Sequence, residues 1–90
     1  MQNSRAATYP RAMARLRLFA SAREAAGTGK AEFPGATVGD VLDAAVAEYG
    51  DHFGELLATC NVWRNGDQAE RTDPVSDGDE VAVLPPVSGG

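Results

Sequence analysis

The clearest regularity in the chain is a change of hydrophobic period. Residues 13–19 read Met-Ala-Arg-Leu-Arg-Leu-Phe, an alternation that predicts a half-buried strand. Leu16 and Leu18 fall on one face, and Arg15, Arg17 and Phe19 on the other. The arginines mark that second face as solvent-exposed, which leaves Phe19 as an aromatic on the wrong side. Residues 21–26 are rich in helix formers and stop at Gly27, predicting a turn or two of helix. Residues 30–33 form a short extended segment closed by Pro34-Gly35, a turn signal.

From Thr37 the period becomes helical. Val38, Val41, Leu42, Ala45, Val46 and Tyr49 follow the spacing of an amphipathic helix, which Gly50 ends. Thr37 is a good N-cap, Asp40 three positions on approximates a capping box, and Asp40 and Asp43 lie near the positive helix start. A second helical stretch over 52–58 carries Phe53, Leu56 and Leu57. Residues 60–64 then read as a strand, Asn65-Gly66 as a tight turn, and 68–71 as a weak strand. Asp77-Gly78-Asp79 turns the chain into residues 80–84, Glu-Val-Ala-Val-Leu, whose apolar run suits a central strand.

One dominant helix laid across a mixed sheet buries its apolar stripe economically. The element order therefore predicts an α+β chain with the β-grasp, ubiquitin-like fold. A ferredoxin-like arrangement needs two comparable helices, and here one dominates. The organisation expected is a disordered extension over 1–12, a β-grasp domain over 13–84, and an extended, flexible tail over 85–90.

Ninety residues allow one domain with a thin core, which favours a binding module or carrier over a self-sufficient enzyme. Thirteen acidic residues face eight basic ones, a formal net charge of −5. That balance argues against a nucleic-acid partner, which needs a basic face, and fits either plain solubility or a partner with a basic docking surface. Of the basic residues only Lys30 is a lysine. Cys60 stands alone and cannot form an internal disulfide. No secretory core segment and no membrane-spanning apolar run is present, so the expected location is cytoplasmic, with no membrane partner.

Most residues that could suggest catalysis have structural readings. His52 is the lone histidine, with no cysteine or carboxylate at ligand spacing, and no metal is expected. Cys60, in a predicted strand with no nearby histidine, reads as a buried structural thiol. Asp77-Gly78-Asp79-Glu80 lacks the alternating ligands and distal Glu of a calcium loop, and Gly27-Thr28-Gly29 lacks the third glycine of a nucleotide fingerprint. Both read as turns.

The C-terminus is different. Pro85 and Pro86 cannot donate ladder hydrogen bonds, so the last strand must end before them. They also stiffen the exit, and the residues beyond Leu84 could reach on the order of 18–20 Å from the domain. Val87, Ser88, Gly89 and Gly90 complete this tail. Two terminal glycines can enter a channel too narrow for any side chain. The carboxylate of Gly90 is ionised at neutral pH and a poor electrophile. A partner must activate it, most simply by adenylation with ATP, before a sulfur nucleophile can displace AMP and leave a thiocarboxylate.

With Asp77-Gly78-Asp79-Glu80-Val81 followed by Pro85-Pro86-Val87-Ser88-Gly89-Gly90, the chain resembles the molybdopterin synthase small subunit and its thiamin-pathway relatives, the MoaD and ThiS sulfur carriers. The likeness runs from Ala14 to Gly90. Leu18-Phe19-Ala20, Arg23-Glu24 and Gly27 are similar to the opening of the molybdopterin branch in particular. The resemblance implies that an E1-like adenylating enzyme activates Gly90 with MgATP, that a persulfide donor supplies sulfur, and that the carrier itself binds no cofactor. It implies docking on the molybdopterin synthase large subunit, with Gly90 bearing sulfur, Gly89 and the rest of the tail threading a channel, and Phe19 and Leu84 at the docking face. The alternation of Val81 and Val83 against Leu84 independently places Leu84 outside. The extension over 1–12 and the segment over 65–76 are longer than the family's compact form. Carriers for cysteine, thiamin or secondary metabolites, a ubiquitin-like protein modifier, and a regulatory domain with an incidental tail remain alternatives.

Overall fold

The structure is a computed structural model that describes residues 13–86. The expected extension over 1–12 and the tail positions Val87, Ser88, Gly89 and Gly90 lie outside the described residues. The alternating N-terminal segment is β1 (Met13–Leu18), and the short helix α1 (Ala20–Ala26) follows it directly, with Gly27 closing the helix in the left-handed conformation. After β2 (Lys30–Pro34) come α2 (Val38–Tyr49) and α3 (Asp51–Leu57). Strands β3 (Asn61–Arg64), β4 (Asp67–Gln68) and β5 (Glu80–Leu84) complete the chain.

The five strands form one mixed sheet in the order β2-β1-β5-β3-β4. β1 and β5 run parallel at its centre, Leu16 beside Val81 and Leu18 beside Val83, while the other pairs are antiparallel. The first and last strands thus meet in the middle, and the long helix α2 covers one face. This is the β-grasp arrangement that the order of elements predicts.

The packing follows from the alternation. Ala14, Leu16, Leu18, Val81 and Val83 point inward and are buried against Val38, Val41, Leu42 and Ala45 of α2 and Phe53 and Leu57 of α3. Tyr49 bridges Phe33 and Phe53 through two edge-on ring contacts, with centroids 5.8 and 5.2 Å apart, tying β2 to both helices. No polar side chain is buried among the described residues.

Helix α2 starts where expected, but its capping box is displaced. Thr37 Oγ1 accepts from the Asp40 backbone N–H at 3.2 Å, while the Asp40 carboxylate accepts from Ala36 N–H at 3.1 Å, one residue before the N-cap. Gly35 is required there by crowding: a Cβ would lie 2.8 Å from Asp40 Cβ and 2.9 Å from the Val41 nitrogen. At the Asn65-Gly66 turn both residues have positive φ, 52° and 91°, as a tight hairpin demands.

Two expected boundaries are corrected. The weak strand predicted over 68–71 is only the pair Asp67–Gln68, because Arg71 is drawn away to α2, where its guanidinium donates to Gly39 O at 3.3 Å and pairs with Asp43. Cys60 precedes β3 rather than lying in it; its backbone N–H still closes the turn after α3 on Leu57 O at 3.0 Å.

Candidate functional site

The tail leaves the sheet at the end of β5, and the neighbouring strands determine what surrounds that exit. Because β1 and β5 are parallel, Phe19 follows Leu18 on the same side of the domain as Leu84, and Phe19 N–H bonds to Val83 O at 3.2 Å. The chain turns sharply there: Ala20 has φ of 52°, and Phe19 O accepts from the N–H groups of Ala22 and Arg23. The Phe19 ring is consequently held at a fixed corner, on the face opposite the core.

Phe19 and Leu84 are 39% and 36% exposed, high values for large apolar side chains in so small a domain. Across the ladder, Ala82 is opposite Trp63 and Leu84 opposite Asn61. Trp63 therefore joins the same outer face, and Phe19, Trp63, Ala82 and Leu84, with Asn65, Gly66 and Glu80 at the rim, line a shallow depression of about 280 Å³. Arg17 holds one side of Phe19, its guanidinium carbon 5.6 Å from the ring centroid, and also pairs with Glu80 at 3.2 Å. Pro85 is half-buried and Pro86 exposed, so the tail starts beside this apolar patch.

The base of β5 is fastened from the other end. Asp79 accepts from Ser76 N–H at 2.8 Å and from the Asn65 side-chain amide at 3.1 Å, while Asn65 Oδ1 accepts from Glu80 N–H at 2.9 Å. Those donors hold the Asp79 carboxyl below the ordinary aspartate range, the Ser76 bond having the largest effect. Asp77 accepts from Met13 N–H at 3.0 Å, and Gly78 N–H donates to Met13 O. The acidic turn is thus spent on locking β1, β5 and the β3–β4 hairpin together. Among the described residues no group of three or more His, Cys, Asp and Glu side chains is placed to hold a metal.

Of the residues anticipated from the sequence, the fold brings Phe19, Leu84, Pro85 and Pro86 to one corner; Gly90, Gly89, Ser88 and Val87 lie outside the described residues. Trp63 was not anticipated. Its signal was the parity of 61–64, which sets Trp63 against the inward-facing Val62. His52 is exposed on α3. Cys60 lies on the helical side, its thiol 3.3 Å from Leu56 O and pushed up in pKa by burial, the opposite of what an activated nucleophile needs.

The described end of the last strand thus carries an apolar corner beside Pro85 and Pro86. The ThiS family model matches residues 16–90. The chain belongs to the ThiS family. Among curated relatives, it is 45% identical to small archaeal modifier protein 1 of Haloferax volcanii, over 82% of this chain and 97% of that protein. It is 39% identical to the molybdopterin synthase sulfur carrier subunit of Aedes aegypti, over 83% and 86% respectively. Among solved structures, the solution structure of small archaeal modifier protein 1 from Methanosarcina acetivorans superposes with a TM-score of 0.81 at 29% identity, covering 90% of this chain and 99% of that one. Subunit 1 or 2 in the complex of the molybdopterin-converting factor from Helicobacter pylori matches with a TM-score of 0.65 at 25% identity, over 87% and 99%.

ThiS-family membership makes this a ubiquitin-like protein of the sulfur-carrier and modifier class, a small carrier and not a catalyst by itself. No described helix of this ThiS-family chain is long and apolar enough to cross a membrane.

Proposed function

We propose that the protein is a sulfur carrier that works at the Gly90 carboxylate and donates to molybdopterin synthesis as the small subunit of molybdopterin synthase. An E1-like enzyme uses MgATP to adenylate Gly90, releasing pyrophosphate; the outer sulfur of a persulfide donor attacks the acyl-adenylate and displaces AMP to give an acyl disulfide, and a second thiol cleaves that S–S bond, leaving a terminal thiocarboxylate and a donor disulfide. The domain docks through Phe19 and Leu84, joined by Trp63, while residues 85–90 carry the reacting end into the partner's active site. The observation that carries this reading is the placement of an exposed apolar patch at the root of a tail that starts with two prolines and ends in Gly-Gly. The likeness to a molybdopterin synthase sulfur carrier subunit supports the pathway.

A second reading is favoured by a specific observation, the 45% identity to a protein named as a modifier. In that reading the same activated Gly90 is attacked by lysine amines of target proteins, giving isopeptide bonds. Both begin with the acyl-adenylate and diverge at the nucleophile. Intact-mass spectrometry and immunoblotting of the tagged chain from its own cells separate them. A mass increase equal to exchanging one oxygen for sulfur supports the carrier, and a ladder of covalent adducts that persists in reducing denaturant supports the modifier.

A further inference from the structure

Lys30 is the chain's one lysine, and it is exposed at the start of β2, the edge strand of the sheet. The register supplies both neighbouring arginines with a carboxylate. Arg15 stands between Glu32 on β2 and Glu80 on β5, and Arg17 pairs with Glu80 at 3.2 Å. Lys30 faces Arg17 instead, a juxtaposition of like charge that does nothing for the isolated sheet. Its ammonium makes no ion pair among the described residues. This face is therefore close to charge-balanced, and its single primary amine is left over. The position of that amine along the strands matters as much as its exposure. Lys30, Arg17 and Ala82 lie in one row of the sheet, which puts Lys30 two strands, about 10 Å, from Ala82. Arg17 also joins it to the apolar patch, its guanidinium carbon lying 5.6 Å from the Phe19 ring centroid.

We propose that Lys30 is a modification site for the protein's own C-terminus: its Nζ takes the activated Gly90 of a second copy, giving an isopeptide-linked dimer. This rests on the reading in which amines attack the Gly90 acyl-adenylate, and it names the amine that the chain itself supplies. Lys30 gives one proton to solvent to become the free amine, and its nitrogen attacks the Gly90 carbonyl carbon. The C–O bond to AMP breaks, AMP leaves, and nitrogen sheds a second proton as the amide forms. The acceptor is a second copy and not the same chain, because docking through Phe19 and Leu84 covers the donor's outer face while its adenylate is held. On the acceptor, the attached domain hangs by the six residues 85–90 beside Phe19, Trp63 and Leu84. It obstructs the surface that the acceptor needs for its own activation. Linkage through Lys30 therefore halts at two copies.

The test uses the full chain with a lysine-free N-terminal tag, expressed in its own cells as wild type and as Lys30→Arg. That substitution keeps the charge and removes the acylable amine at an exposed position. Immunoblots in reducing denaturant should show the wild type as monomer, as an adduct of two chains and as adducts with other proteins. Lys30→Arg should lose the two-chain adduct and keep the rest. Trypsin finds no lysine or arginine after Arg71, so digestion of the purified dimer should yield a branched peptide in which residues 72–90 hang from Lys30. Adducts with other proteins but no two-chain adduct in the wild type would overturn the proposal and leave the modifier reading standing. No adducts of any kind would overturn both. A two-chain adduct that survives Lys30→Arg would overturn the assignment, because the linkage would then be to the N-terminal amine. Lys30-linked species of three or more copies would overturn the halt at two.

Discussion

The two faces of the central sheet are made from the same strands and serve opposite ends. On the inner face Leu16, Leu18, Val81 and Val83 are buried under α2 and α3. On the outer face the intervening positions are Arg15, Arg17, Ala82 and Leu84, with Phe19 and Trp63 completing a patch that nothing in the described domain covers. Apolar residues inside hold the domain together, and apolar residues outside are available to a partner. Alternation alone tells them apart, because a residue's parity fixes its face. The difference teaches that a hydrophobic side chain in this sheet has a meaning only together with its register.

The comparison is broken most severely from the inside. Leu16→Ala removes a fully buried side chain from the central strand and should cost about 2–5 kcal/mol of stability. Thermal unfolding would show it as a fall on the order of 10 °C or more for a domain of this size. Outside, Phe19→Ala and Leu84→Ala should each weaken partner affinity about tenfold or more, since buried anchors at an interface often carry 2 kcal/mol and about 1.4 kcal/mol is tenfold. Their melting temperatures should move far less than that of Leu16→Ala. Loss of stability with unchanged affinity per folded molecule would return both residues to the fold and remove them from the interface.

A smaller effect is expected at the turn that anchors β5. The Asp79 carboxyl titrates below an ordinary aspartate because it accepts from Ser76 and Asn65. Its depressed folded-state pKa means that its contribution is present above the unfolded value near about 3.9 and is lost as pH falls through the lower folded value. Asp79→Ala should therefore flatten the acid limb of the stability curve below about pH 4 while lowering stability modestly at neutral pH. An acid limb as steep as that of wild type would show that the turn's hydrogen bonds are not linked to folding. The smallest effect belongs to Cys60, whose thiol lies on the helical side with a raised pKa. Cys60→Ser should leave sulfur transfer nearly unchanged, and loss of transfer in a variant as stable as wild type would reveal a persulfide relay through this residue.

Much of the fold was legible because local and long-range signals agreed. Residues 13–19 and 80–84 carried their inward and outward faces in their parity, and Gly27, Gly35, Gly50 and Asn65-Gly66 marked the turns. The failures have a common cause. β4 stops at Gln68 because Arg71 is recruited by Gly39 and Asp43, 32 and 28 positions away, and no local pattern announces such a contact. Cys60 falls outside β3 because the turn after α3 claims its N–H. Trp63 escaped notice because its strand is only four residues long, so the parity that sets it against Val62 is a weak signal until the register with Ala82 is known.

The central claim is that Gly90 carries the cargo, and it is tested most directly by intact-mass analysis of a chain whose end has been changed. Wild type, a chain lacking Gly90 and a chain extended by one residue beyond it would each be incubated with the E1-like enzyme, MgATP, a persulfide donor and a thiol reductant that cleaves the intermediate acyl disulfide. Wild type alone should gain the mass difference between sulfur and oxygen, while all three unfold at the same temperature. Sulfur on the extended chain would contradict the account, because the reacting carboxylate would then not be that of Gly90.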